Sequence, residues 1–495
     1  MSYFIKPEEK TPLPHYWEMC VGSCHAATAL RADYREQLKQ AHEELGFRYV
    51  RFHGLFDDDM SVVLYDSPSP YMPSDKVKYN FMNTDNIFDF LVSIGMKPFL
   101  ELGFMPRLLA SGNQTTFAYA GNITPPKDYD QWADFIEAFT RHAEERYGAD
   151  EVSTWFFEVW NEPNLPSFWT GTQEEYFKLY AYTARAIKKV NPGFQVGGPA
   201  TSINAWILEF RSWCAEHDVP VDFISTHHYP TDDPMWNNPG MDLMAILAEK
   251  GMDAMSKYDK HIMRKMTRRA RKEAGELPLY YTEWNVSALM GDVDHDIPYA
   301  AATIARILHE NFGMVEGYSW WTFSDIFEEM GQMLGEFQGG FGLMSYHGVK
   351  KPSYRLFELL HELGTEPLAV ESADEDTDSN VGILAAEKAE SIQLLVYNQN
   401  TKALGQIGTE TVRIQLPMAS KPSVSVRRID EEHGNAHRAW EAMGSPLYVS
   451  AGQLKTLHDA SRLESESLDA DFSDGMAELS VEMPPYSVAL LTIHK

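Results

Sequence analysis

Cysteine is scarce in this sequence. Its 495 residues include Cys20, Cys24 and Cys214 alone, an odd count that cannot build a disulfide framework and that suits a reducing compartment. Cys20 and Cys24 are too far apart for a CxxC motif, so all three are expected to be inert thiols. Long apolar runs are also missing. None approaches the length that crosses a bilayer, and the opening segment MSYFIKPEEKTPLPHYW has no apolar core of a secretory signal. Basic charge is in the minority, with 42 Lys and Arg against 72 Asp and Glu and a formal charge of −30. That balance argues against a polyanionic partner. The expectation is a cytoplasmic protein with no membrane and no nucleic-acid partner, handling a neutral or cationic ligand; association into a homo-oligomer is left open.

Cofactor and metal signatures are lacking as well. HHYP (227–230) with His53 could suggest zinc, but no HExxH or comparable ligand spacing exists. GEFQGGFG (335–342) fits neither GxGxxG nor GxxxxGK and reads as a loop of tight turns. RKMTRRARKEAG (264–275) is basic, but it leads into a strand and reads as the solvated face of a helix. No cofactor and no metal are expected.

What the sequence has in plenty is aromatic, strand-like runs. Eight recur before residue 330: 16–22, 49–55, 97–104, 155–163, 194–200, 222–230, 277–286 and 316–325. Between them lie segments with apolar residues at helical spacing, several closing on Gly or Asn-Pro-Gly, such as 33–46 and 174–193. Eight strands alternating with helices imply a closed (β/α)8 TIM barrel in the α/β class, over residues 15–355. After about residue 360 the pattern turns to short strands joined by turns. Residues 356–495, with 1–14, are expected to form an accessory antiparallel β-sandwich. ESADEDTDSN (371–380) reads as a solvated acidic linker.

Two of the eight runs end strangely. WFFEVWNEP (155–163) stops on Asn161 and Glu162, and LPLYYTEWNV (277–286) is broken by Thr282 and Glu283. In a parallel barrel the C-terminal strand ends surround the active site, so the fourth and seventh strands each deliver a carboxylate there. Two facing carboxylates are what cleavage of a glycosidic bond requires. Alternation puts Arg51 and His53 on one face of the second strand, and His227 and Tyr229 on one face of the sixth, which makes all four candidate substrate contacts. Glu158 is expected to face the barrel interior in a structural role. His228 is left out of the site as a packed histidine, and Trp320 is assigned to the core.

The stretches RFHGLFDDDM (51–60), NITPPKDYDQW (122–132), WNEPNLPSFW (160–169), TEWN (282–285), WWTFSDIFEE (320–329) and GGFGLMSYHGVKKPSY (339–354) resemble glycoside hydrolase family 39, whose best known members are β-xylosidases. The resemblance implies that Glu162 is the general acid/base and Glu283 the nucleophile. It also implies substrate contacts. Asn161 would hydrogen-bond the sugar 2-hydroxyl, and Trp321 would be an apolar platform. Glu328 or Glu329 would bind hydroxyls, with the register between them open. Phe117 would line the mouth. Tyr229 would hydrogen-bond the nucleophile, and Arg51 would either hold Glu283 ionised, lowering its pKa, or pair with Glu101. One departure is visible: TEWNVSALMGDVDHD has Ala288 and Leu289 where family β-xylosidases tend to carry a tyrosine.

The implied function is a retaining exo-glycosidase, a β-D-xylosidase acting on short oligosaccharides through a covalent glycosyl-enzyme. Rival readings keep the fold and mechanism with another glycone, of α-L-arabinosidase or α-L-iduronidase type, or make the chain a catalytically silent sugar-binding barrel. The absence of any metal-ligand spacing yields a first test. EDTA should leave turnover of an aryl glycoside unchanged, and a loss restored by zinc or calcium would overturn metal independence.

Overall fold

The computed structural model describes residues 1–7, 12–67, 69, 71–72, 74, 76–236, 243–251, 255, 257–373 and 378–495. Residues 374–377 of the acidic loop lie outside the described residues. Eight strands, Cys20–His25, Tyr49–His53, Lys97–Leu102, Phe156–Val159, Gln195–Thr201, Phe223–His227, Leu279–Trp284 and Gly317–Trp320, close into a barrel. Each overlaps one of the eight aromatic runs of the sequence, the first running on to His25 and the fifth to Thr201, and they are numbered first to eighth below. Local chemistry sets the helices between them. Thr172 and Glu175 form a reciprocal capping box that starts the helix Gln173–Val190. Gly46, in the left-handed region at φ 74°, ends the helix Ala32–Leu45. The basic helix Ile262–Ala274 buries Met263, Met266 and Ala270 and leaves Lys265, Arg268 and Lys272 in solvent.

The barrel interior is layered, because inward positions recur every second residue. At the N-terminal end Phe99, Phe156 and Phe223 pack with Tyr49 and Tyr280 into an apolar plug, with Phe99 stacked on Phe156 at 4.8 Å. Two residues further along the same strands the inward positions are charged: Arg51, Glu101 and Glu158. All three are buried.

The C-terminal strands make two sheets around a separate core that includes Ile5, Val396, Ile414, Val481 and Leu491. The strand Glu366–Ser372 belongs to both sheets. Its first two residues pair with Ala386 and Glu387, and Leu368–Ser372 pair with the N-terminal strand Ser2–Pro7. That N-terminal strand also pairs with Glu410–Pro417, in parallel. The sandwich is therefore mixed rather than wholly antiparallel, because a strand arriving from the other end of the chain fills its gap. Two helices, Ala436–Ala442 and Ala451–Ala460, interrupt the run of strands and cover Phe337 and Val349. The last barrel helix runs from Pro352 to Glu362. Among the described residues, no helix is long and apolar enough to cross a membrane. The three thiols are free and buried, and burial pushes those of Cys20 and Cys214 up to about 12.

Arg306, on the helix Pro298–Glu310, fastens the barrel to the sandwich. It is buried, and its guanidinium donates to Gln399 Oε1 at 2.6 Å and to the carbonyls of Ser379, Asn380 and Gln399 at 2.8–3.1 Å. Arg306→Met keeps the apolar stem but takes the donor from Gln399 Oε1 and from the Gln399 carbonyl, while the Asn380 and Ser379 carbonyls keep the Gln399 N–H and Lys260. The variant is expected to lose about 3 kcal/mol of stability, from uncompensated buried acceptors, and to show a lower midpoint in a thermal melt. A midpoint equal to wild type would mean that water replaces the guanidinium without cost.

Candidate active site

The fourth strand ends in two residues of uncommon backbone. Trp160 and Glu162 both have positive φ, 72° and 43°, a region that costs free energy for residues other than Gly. Packing and hydrogen bonds hold them there. Trp160 donates its indole N–H to the Phe168 carbonyl and meets Trp169 edge-on at 5.0 Å. The Glu162 N–H donates to the Ala200 carbonyl of the fifth strand at 2.8 Å. The turn brings Asn161 and Glu162 together into a cavity of about 460 Å³ at the C-terminal mouth of the barrel.

The seventh strand reaches the same cavity by another device. Its register with the sixth shifts between Thr226 and His227, and its register with the eighth shifts between Tyr281 and Trp284. Strict alternation is broken there, so Thr282 and Glu283 both turn inward. Thr282 Oγ1 donates to Glu158 Oε1 at 2.7 Å, and Glu283 lines the cavity. One oxygen of Glu162, one of Glu283 and one nitrogen of His227 lie within 4.8 Å of one another.

The surroundings of the two carboxyls differ. Glu283 Oε1 accepts the Tyr229 hydroxyl at 2.6 Å, and its Oε2 lies 3.4 Å from Arg51 Nη1. Glu162 Oε1 lies 3.0 Å from His227 Nδ1. Burial first, then the charges of Glu283 and Asp232, hold the Glu162 carboxyl well above the usual carboxylate range. The expectation that Glu283 is lowered is corrected. Burial raises it, against the opposing pull of His53, Arg51 and the Tyr229 hydrogen bond. Desolvation opposes the charged form whatever the partners, and sequence spacing gives no measure of it.

Arg51 organises the layer beneath. Its Nε bonds Glu158 Oε2 at 2.6 Å, and its Nη2 lies 2.9 Å from Glu101 Oε2 and 3.0 Å from Asn161 Oδ1. Pairing with Glu101 and contact with Glu283, posed as alternatives, are both made. His53 Nδ1 lies 2.7 Å from the same Glu101 oxygen, and its ring faces Trp321 at 4.6 Å and Phe117 at 5.7 Å. Gly22 leaves room for Trp321: a Cβ there would sit 2.4 Å from the indole.

The structure thus brings His53, Phe117, Asn161, Tyr229, Trp321 and Glu329 to the cavity wall with the two carboxyls. Arg51 and His227 are fully buried behind that wall; they support the site and are corrected from substrate contacts to that role. The register between the two adjacent acids also resolves. Glu329 lines the cavity, with Oε1 3.5 Å from His53 Nε2. Glu328 is turned away, its Oε1 3.3 Å from Arg31 Nη1, and is corrected out of the site. Sequence reasoning missed Asp232, which lines the cavity and accepts the Tyr229 backbone N–H at 2.8 Å. Burial above all, with Glu283 adding to it, pushes its carboxyl up to about 7. Its only signal is an acid three residues past a strand-end tyrosine. Ala288 lies on the cavity wall, whereas Leu289 packs with Met235 and Ile246.

Residues 4–476 match the family model described as Glycosyl hydrolases family 39. The chain is 46% identical to a β-xylosidase of Caldicellulosiruptor saccharolyticus over 97% of its own length and 95% of that protein. It is 39% identical to a β-xylosidase of Geobacillus stearothermophilus, covering 97% and 92% of the two chains. Among solved structures, the GH39 β-xylosidase of Caulobacter crescentus superposes over the whole of both chains, with a TM-score of 0.81 and 33% identity.

The fork of Arg51 reaches three carboxyls and an amide, which a lysine cannot do. Arg51→Lys should therefore fold yet cleave an aryl glycoside about 100-fold more slowly, through misplacement of Glu283 and Asn161. Wild-type kcat/KM in that variant would show that a point charge suffices.

Proposed function

The chain belongs to glycosyl hydrolases family 39 and is a glycoside hydrolase, and on that premise we propose that it is a retaining exo-β-D-xylosidase acting through a covalent glycosyl-enzyme. The observation that carries this reading is the convergence of two differently held carboxyls, with one oxygen of each within 4.8 Å. Retaining enzymes hold the pair about 5–5.5 Å apart, whereas inverting enzymes leave about 6.5–9.5 Å for a water between them. The similarity to β-xylosidases across nearly the whole chain supports the glycone. A cavity of about 460 Å³ suits a short saccharide.

In the first step Glu283 attacks the anomeric carbon. The bond to the leaving oxygen breaks, and Glu162 gives that oxygen its proton. Tyr229 and Arg51 hold Glu283 in line. Asn161, whose Oδ1 is taken by Arg51, has its amide N–H groups left for the sugar 2-hydroxyl, a contact that strengthens in the transition state. Trp321 and Glu329 serve the glycone as platform and hydroxyl acceptor. Once Glu283 is an ester its negative charge is gone, and with it one cause of the raised pKa of Glu162. Glu162 can then ionise, take a proton from water and drive the oxygen of that water onto the anomeric carbon, releasing Glu283.

The two roles separate by mutation. Glu283→Ala should be inactive on every substrate. Glu162→Ala should still form the intermediate from a dinitrophenyl β-xyloside, accumulate it, and turn over faster in azide. Wild-type enzyme should release β-xylose first, seen by NMR. α-Xylose as first product, or azide acting on Glu283→Ala as it does on Glu162→Ala, would overturn the assignment. A panel with α-L-arabinosides and α-L-iduronides tests the glycone.

A further inference from the structure

The two ring nitrogens of His227 face different partners, and the partner behind the ring has no freedom of direction. Thr282 has one hydroxyl proton. Its Oγ1 lies 2.7 Å from Glu158 Oε1 and 3.1 Å from His227 Nε2. Glu158 is ion-paired with Arg51 at 2.6 Å, and a carboxylate accepts only, so the hydroxyl proton points to it. The oxygen that faces Nε2 offers lone pairs alone, and Nε2 must carry the ring proton. A neutral imidazole has one such proton. Burial, followed by the positive charges of Arg51 and His53, holds His227 well below its ordinary pKa, and hence neutral. Nδ1 therefore presents a lone pair. The nearest acid oxygen to it, with Glu283 Oε2 beyond hydrogen-bond reach at 3.6 Å, is Glu162 Oε1 at 3.0 Å. A lone pair repels a carboxylate at that distance and hydrogen-bonds a carboxylic acid.

We propose that Thr282 is a positioning residue, which fixes the tautomer of His227 so that the ring holds Glu162 protonated between turnovers. The wire runs from the Arg51–Glu158 ion pair through the Thr282 hydroxyl and the His227 imidazole to the acid. It adds no proton to the reaction. The proton leaves Glu162 with the departing oxygen, returns from the attacking water, and settles again opposite Nδ1. This deepens the assignment of Glu162 as acid/base and rests on it. Other groups also face Glu162: Glu283 on the seventh strand, Asp232 beyond the sixth, Glu329 beyond the eighth and Arg51 on the second. None of these groups bonds the Thr282 hydroxyl; its other partner, Glu158, loses a hydrogen bond on replacement but keeps its ion pair with Arg51, and the tautomer measured in the wild-type enzyme is free of that change.

Thr282→Val removes the hydroxyl at nearly constant volume. Nε2–H then has no acceptor, and the ring gains by moving its proton to Nδ1, where it donates to Glu162 and favours the ionised form. The basic limb of the kcat/KM profile, which reports the acid in the free enzyme, should shift to lower pH by about one unit. Thr282→Ser, which keeps the hydroxyl, should restore the wild-type limb. A limb unmoved in Thr282→Val, or moved equally in Thr282→Ser, overturns the proposal. The second readout needs neither variant. 15N NMR of histidine-labelled wild-type enzyme should show His227 with its proton on Nε2, and a proton on Nδ1 overturns the proposal. The tautomer is independent of turnover. Failure of azide rescue in Glu162→Ala would thus sink the acid/base assignment while the NMR result still judged the wire.

Discussion

One guanidinium sits where three carboxylates meet. Glu101 and Glu158 are direct partners on neighbouring strands, a placement in which like charges repel. Arg51 resolves it by bonding both, and it extends a third contact to Glu283. The charge of Arg51, shared among three carboxyls, is outweighed at Glu162 by burial and the neighbouring acids. His227 adds no charge, because burial keeps it neutral. Burial above all, with the charges of Glu283 and Asp232 adding to it and Arg51 only partly opposing them, makes a proton on Glu162 the low-energy state.

The apolar plug below makes this charge layer matter. With Phe99, Phe156, Phe223 and Tyr280 filling the N-terminal end of the barrel, the charged layer is shut off from solvent on that side. Electrostatic interactions there are stronger than at a surface, and unpaired polar atoms cost more. That accounts for the exhaustive pairing of Arg51 and for the upward displacement of all four cavity acids, Glu162, Glu283, Asp232 and Glu329.

The parts legible in the sequence are those that follow from period. Eight strands, the inward face shared by Arg51 and His53, and the carboxyls at two strand ends all come from alternation and from the rule that barrel chemistry sits at C-terminal strand ends. Period failed where the backbone departs from it. The register shift beside Thr282 turned in two successive residues where alternation allows one. The loop carrying Glu328 and Glu329 has no period at all, so which acid enters the cavity depended on Arg31, a residue far away in sequence. The displacement of Glu283 was misjudged in sign because spacing reveals partners and not the depth of burial. The sandwich was read as antiparallel because nothing local in Ser2–Pro7 shows that it will lie parallel to a strand near residue 410.

That last pairing sets a timetable. The backbone amine of Met1 bonds the carbonyl of Thr411, 410 residues later. At a synthesis rate of about 5–20 residues per second, the first strand waits roughly 20–80 s before its partner exists. The barrel, whose last strand ends at Trp320, is complete in the meantime and can fold first. The N-terminal strand spends that interval as an unsatisfied edge, and the length of the strand limits the exposure. At six residues, with Pro7 at its end removing one donor, it is a poor template for pairing with another nascent chain.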